Sequence, residues 1–367
     1  MVTLPSDLVT VISSFLCESL MLDTITSKKT KKEECSRYWY DKYVVFMTKN
    51  NVQDLIYTKS YDPSYNWKKI FITATRFNRW ELFVGALDKT ILDLSENALT
   101  VIPPEIRTLV NLKELNLSDN NLTILPPEIG LLVNLERLDL SYNQITIIPK
   151  EIGLLANLKE LNLSDNNLTI IPPEIGLLAN LDRLNVSENQ ITIIPKESGL
   201  LANLKELNLS ENQITIIPKE IGLLENLQYL YLRRNKIIVI PPEIGELVNL
   251  ERLHLSNNQI TEIPEEIGLL VKLERLDLST NQITEIPPEI GELVNLERLD
   301  LSENQIRAIP QEIGLLVNLE RLELSDNQIT AIPQEIVLLV NLARLDLSYN
   351  KVTKIHGDLS HLPIKIN

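Results

Sequence analysis

From residue 92 onward the apolar positions follow one rhythm. In Leu138-Asp139-Leu140 two leucines flank a polar residue, so with period two both leucines face one side of a short strand and Asp139 faces the other. Ile145 and Ile148 follow, then a proline, then Ile152, Leu155 and Leu158 at spacings that return an apolar face to the same core. Pro149 with Glu151 suits the start of a helix, proline supplying a fixed φ and glutamate favouring the positive end of the dipole. Asn143 sits between the two apolar sets, where an amide turns the chain and satisfies backbone groups of adjoining turns.

This text returns every 23 residues. The asparagine recurs from Asn97 to Asn350, twelve times without an insertion; Pro follows six residues later from Pro103 to Pro333, and nine of the eleven glycines keep the frame. A unit of 23 residues spends about ten on strand and turns, which leaves room for only a short helix or 3-10 segment on the outer side. The array ends in a degenerate unit in which His356 replaces the proline and residues 357–367 leave the frame, as terminal repeats do when one face has no neighbour.

Composition marks a boundary ahead of the array. All three Trp, all five Phe and both Cys lie before residue 84. Charge agrees: residues 1–85 hold 12 Lys+Arg against 9 Asp+Glu, and the remainder 23 against 41. The chain is therefore expected to comprise a helical, aromatic-rich domain over 1–85 and a repeat array of about twelve strands over 86–367.

Residues 92–355 resemble the 23-residue leucine-rich-repeat class of Ras-associated scaffold proteins, plant Ras-group repeat proteins and their bacterial and viral relatives. The resemblance implies an α/β leucine-rich-repeat solenoid, with a parallel sheet on the concave face and short helices or 3-10 segments on the convex one. It also implies protein–protein recognition without naming a partner. In the first domain, Leu4-Pro5-Ser6-Asp7-Leu8 with Ile12 and Leu16 resembles the opening helix of an F-box, and Cys35–Tyr40 and Trp67–Phe71 resemble its later landmarks. The basic stretch Ser27–Lys32 departs from that pattern, and a plain aromatic-rich capping domain is the alternative. If the resemblance holds, Leu4, Pro5, Leu8, Ile12 and Leu16 dock on the adaptor of a cullin-type ubiquitin ligase.

Charge and motifs narrow the function classes. A net charge of -15 and a pI near 4.8 argue against a nucleic-acid binder, which needs cationic surface to displace counterions. Two cysteines, Cys17 and Cys35, point to a reducing compartment. The apolar run Leu8–Cys17 lacks a preceding cation and a clean cleavage site, so it reads as a helix, and no stretch reaches the roughly 18 apolar residues that cross a bilayer. A cytoplasmic chain without membrane attachment is expected. The Asn-x-Ser/Thr triplets, such as Asn116-Leu117-Ser118, arise from the repeat template. The lysines at 28, 29, 31 and 32 run into Glu33-Glu34 and read as a solvated loop, and three scattered histidines make neither a triad nor a metal site. With no phosphate-cradling glycine loop either, no catalytic apparatus, cofactor or small-molecule substrate is expected.

Binding specificity should reside on outward strand positions, because inward ones serve packing. Six residues before each ladder asparagine, Glu and Arg alternate from Glu114 to Glu206, so opposite charges cancel across strands; from Arg252 to Arg344 five arginines stack, with Asp277, Asp300, Glu323 and Asp346 two residues along to neutralise them. At the junction Tyr229, Tyr231, Arg233, Arg234 and Lys236 replace residues that are mostly Asp, Asn, Glu, Ser and Gln elsewhere in the chain, with Arg252 and His254 beside them. Tyr and Arg supply rigid area and planar hydrogen bonding, the chemistry of binding hot spots. The candidate contact is this patch, for a protein partner that is acidic or mixed in charge; the alternative is a drifted repeat whose aromatics only pack between strands.

Overall fold

The computed structural model describes residues 89–356 and 364–365. The expected 1–85 domain and its candidate adaptor contacts Leu4, Pro5, Leu8, Ile12 and Leu16 lie outside the described residues.

Each repeat contributes one short strand, and the chain order is the sheet order. The strands are β1 (Ile91–Asp93), β2 (Glu114–Asn116), β3 (Arg137–Asp139), β4 (Glu160–Asn162), β5 (Arg183–Asn185), β6 (Glu206–Asn208), β7 (Tyr229–Tyr231), β8 (Arg252–His254), β9 (Arg275–Asp277), β10 (Arg298–Asp300), β11 (Arg321–Glu323), β12 (Ala331–Ile332), β13 (Arg344–Asp346), β14 (Lys354–Ile355) and β15 (Ile364–Lys365). All but β12 and β14 form one 13-stranded sheet, and those two pair separately. The pairing is parallel and places equivalent residues directly across from one another, so that Arg275 faces Arg252 and Arg298. The expected solenoid is thus observed, with β15 extending the sheet past the last regular repeat.

The return run is 3-10 throughout rather than α-helical. Each segment, such as Lys150–Leu154, spans five residues and follows an extended proline, which cannot donate to a preceding turn. Between strand and 3-10 segment the apolar columns close the core: Leu138, Leu140, Ile145, Ile148, Ile152, Leu155 and Leu158 are all buried.

Asparagine binds one coil to the previous one. Asn212 Oδ1 accepts the Ile191 N–H at 2.9 Å, while Nδ2 donates to the carbonyls of Val186 at 3.0 Å and of Leu209 and Ser210 at 3.1 Å. The same set recurs from Asn120 to Asn350, always reaching 21 and 26 residues back. A second, exposed amide row has no counterpart in the sequence reading: Asn157 donates to the Val133 carbonyl and Asn180 to that of Ala156, each at 2.8 Å. The residue before each ladder asparagine adopts positive φ, as at Tyr142 (53°) and Arg234 (52°), although none is glycine.

Ser198 interrupts a core column. It is 3% exposed where the other repeats, from Ile106 to Ile336, bury isoleucine. Ser198→Ile is expected to stabilise by about 1–3 kcal/mol, because buried apolar contact replaces a buried hydroxyl. Denaturant melts of the two proteins measure this, and an unchanged or lower stability would mean that the neighbouring isoleucines have already closed over the serine.

Candidate functional site

Alternate strand residues project from the sheet face, and the turn that follows normally ties them down. At Asp139 the carboxylate accepts from the N–H of Ser141 at 2.9 Å and its hydroxyl at 2.6 Å, and the same Asp/Asn–Ser turn follows most strands. β7 cannot make it, since Tyr231 offers no such acceptor and Arg233 stands in the serine position. Leu230 and Leu232 are buried, so Tyr229, Tyr231 and Arg233 emerge on the opposite side; Arg233 does so just past the strand end rather than within the strand.

The structure brings four of the six candidate residues into contact as two pairs, Tyr229 with Arg252 and Tyr231 with His254, while Arg233 and Arg234 share Glu211. The Tyr229 hydroxyl donates to Glu251 Oε2 at 2.9 Å, and the Arg252 guanidinium carbon lies 5.3 Å from the Tyr229 ring centroid, within cation–π range. Tyr231 meets His254 edge-on, with centroids 5.1 Å apart at 85°. The bond to Glu251, reinforced by desolvation, raises the Tyr229 pKa and keeps its hydroxyl a donor. Burial lowers the His254 pKa, with Arg252, Arg275 and Arg233 acting in the same direction against Asp277, so the ring is neutral at pH 7. Arg233 and Arg234 both hold Glu211, at 2.8 and 3.3 Å, so their charge is already met from within the chain.

The charge columns on either side behave differently. Toward the N-terminal end Arg137 lies between Glu114 and Glu160, at 3.7 and 3.4 Å, and Arg183 pairs with Glu206 at 3.8 Å, as the alternation anticipates. Toward the C-terminal end Arg344 alone of the row has an ion pair among the described residues, with Glu323 at 2.7 Å and Asp346 at 3.4 Å. Asp277 and Asp300 do not pair with the stacked arginines, contrary to the sequence expectation; one oxygen of each accepts from Ser279 or Ser302 two residues along, as Asp346 does from Ser348 while still meeting Arg344. Arg252, Arg275 and Arg298 accordingly bury an Nε–H with no acceptor among the described residues. Burial also raises the Asp300 pKa, against the bonds from Ser302.

One surface was not anticipated from sequence. Four residues after each of seven successive ladder asparagines stands an exposed branched apolar side chain: Ile124, Ile147, Ile170, Ile193 and Ile216, with Val101 before and Val239 after, 45% to 71% exposed. The signal was present in the repeat itself, where this position reads Ile or Val in seven successive units beside a buried Ile or Leu, but the repeat pattern leaves it as a variable position. The next two positions of the column are Glu262 and Glu285.

No group of His, Cys, Asp or Glu among the described residues is placed to hold a metal, and none of the helices described is long and apolar enough to cross a membrane. What the geometry supplies is an extended sheet face with one aromatic and cationic interruption. The family described as Leucine rich repeat matches residues 90–145, 110–168, 133–191, 179–237, 225–283, 248–306, 271–329 and 317–364. No curated protein matches. Among solved structures, a leucine-rich-repeat protein of Leptospira interrogans is 40% identical, over 77% of this chain and 84% of its own, with a TM-score of 0.55. The plant peptide hormone receptor RGFR1, solved in complex with RGF2, is 36% identical over 76% of this chain, with a TM-score of 0.67; the match spans 48% of the receptor. An internalin of Listeria monocytogenes is 26% identical over 79% of this chain and 94% of its own, with a TM-score of 0.59. Repeat length, ladder geometry and these likenesses agree, and the chain belongs to the leucine rich repeat family.

Proposed function

We propose that the chain is a non-enzymatic interaction module that holds a protein partner on its sheet face, with the contact centred on Tyr229, Tyr231, Arg233, Arg234, Arg252 and His254. The observation that carries this reading is the break at β7, where the Asp/Asn–Ser turn gives way to two tyrosines and two arginines on a face whose neighbouring strands carry charged and amide side chains. Hot spots favour such rigid aromatic and planar cationic groups. The plant receptor RGFR1, similar in fold, is solved with RGF2 bound, which supports reading the solenoid as a ligand-holding surface.

The partner's chemistry follows from the unpaired charge. Arg252, Arg275, Arg298 and Arg321 make no ion pair among the described residues, whereas Glu251, Glu274, Glu297 and Glu320 stand beside them. A partner of mixed charge fits, with carboxylates aimed at the arginine row and an apolar anchor at Tyr231. Association is expected to slow as salt rises, because the row rather than Arg233 and Arg234 does the steering.

The test starts with the full chain as bait and mass spectrometry of what it retains. Tyr231→Ala combined with Arg233→Ala is then expected to weaken binding by at least about 30-fold, with circular dichroism unchanged. Unaltered affinity in the folded variant would move the contact to the Arg275–Arg344 row.

A further inference from the structure

The isoleucine ridge lies away from the sheet face and takes no part in the function proposed above. We propose that it is the face by which two copies of this chain pair, antiparallel, about a two-fold axis through Ile170. Seven successive repeats present one exposed branched apolar side chain each, without interruption, from Val101 to Val239. With the threonines that precede most of them, the patch is on the order of 700 Å², beyond what a monomer usually exposes and close to the ~800 Å² per partner of a stable interface. The leucine column at the 3-10 segments is exposed too, but Glu246 and Glu292 break it.

Pitch selects the occupant. The ridge residues follow one another at the repeat spacing, about 4.8 Å where the strands stack. A helix advances about 5.4 Å per turn, so over seven positions it falls out of step by about 4 Å, and alternate residues of an extended chain, about 6.7 Å apart, fall out sooner. A second copy has the same pitch at every position, so all seven side chains stay in step with their counterparts. A uniform row is also its own complement under a two-fold axis, each residue meeting the one equally far from the centre.

Charge sets direction and register. Glu262 and Glu285 continue the column where the ridge stops, and both are exposed. A parallel pair would set each of these carboxylates against its own copy, a like-charge contact that destabilises. In the antiparallel pair they lie beyond the ridge of the other chain. A slip of one repeat toward them would bury Glu262 against Val101, so the contact holds at Ile170 as its centre.

Sedimentation of the full chain is expected to show a species of twice 41.9 kDa. Ile193→Glu with Ile216→Glu should raise the dimer dissociation constant at least about 30-fold. The variant should stay folded, because the array itself carries Glu262 and Glu285 in this column. The Tyr231→Ala, Arg233→Ala variant should remain dimeric, which separates this surface from the partner contact. Single cysteines, placed with Cys17 and Cys35 replaced by serine, fix the direction. Ile170→Cys should cross-link to itself on oxidation; Val101→Cys should not, yet should link to Val239→Cys when the two are mixed. A wild-type monomer at about 100 µM, a dimer indifferent to the two glutamates, or self-linking at Val101→Cys would each overturn the proposal.

Discussion

Asn212→Ala is expected to lower the unfolding free energy by about 3 kcal/mol, the first of the two largest effects anticipated. The residue is buried and serves four backbone groups at once: it accepts from Ile191 and donates to Val186, Leu209 and Ser210. Truncation leaves the buried Ile191 N–H with no acceptor, and an unsatisfied buried group costs about 1–3 kcal/mol. The carbonyl of Val186 in the preceding coil and those of Leu209 and Ser210 in the same coil lose a donor as well, so the total exceeds that of one bond. Chemical denaturation followed by circular dichroism measures the change, and a shallower unfolding slope would mark a loss of cooperativity between the halves of the array. A loss below about 0.5 kcal/mol would mean that water replaces the amide without difficulty.

The second large effect concerns the outer side. A Cβ on Gly291 would stand 2.7 Å from the Glu312 carbonyl oxygen and 3.0 Å from the Glu312 Cβ, both in the next repeat. Backbone on one side and a packed 3-10 segment on the other cannot both yield, so Gly291→Val is expected to destabilise by about 3 kcal/mol. The array supplies its own control. Val337 occupies the same position in the segment Gln334–Leu338, so valine itself suits the 3-10 segment. What excludes it at 291 is the repeat that follows. Val337→Gly should therefore change stability by less than about 1 kcal/mol, and thermal melts of the two variants side by side would read the contrast. Equal losses would show that conformation, not the neighbouring coil, demands glycine.

The scaffold was legible because its physics repeats. Twelve copies of one pattern state the strand, the turn and the return run, and the ladder role of Asn212 follows from a polar residue held among leucines. The cluster at Tyr229 and Tyr231 was legible for the opposite reason, as a departure from that pattern. Internal partners were not. That Glu211 holds both Arg233 and Arg234, and that Asp277 turns to Ser279 instead of to an arginine, depends on side-chain rotation, which spacing does not encode. The ridge from Val101 to Val239 escaped because adjacent isoleucines such as Ile147 and Ile148 read as equally apolar, whereas an extended backbone turns successive side chains to opposite sides, Ile148 inward and Ile147 out.

The fixed reach of the ladder asparagines also governs how such a chain can change length. From Asn143 onward the ladder bonds between coils span 21 or 26 residues and those of the outer amide row 24, and none looks further than the coil before it. Deleting or duplicating 23 residues in frame therefore restores every donor and acceptor with an equivalent neighbour, while a change of 22 or 24 strands a whole set of them. Lengthening by misaligned recombination is thus nearly free of structural penalty in whole units and steeply penalised otherwise. Homologous arrays should differ in the number of turns long before they differ in the size of one, and the reach of the binding face can be tuned by a genetic event that leaves its chemistry untouched.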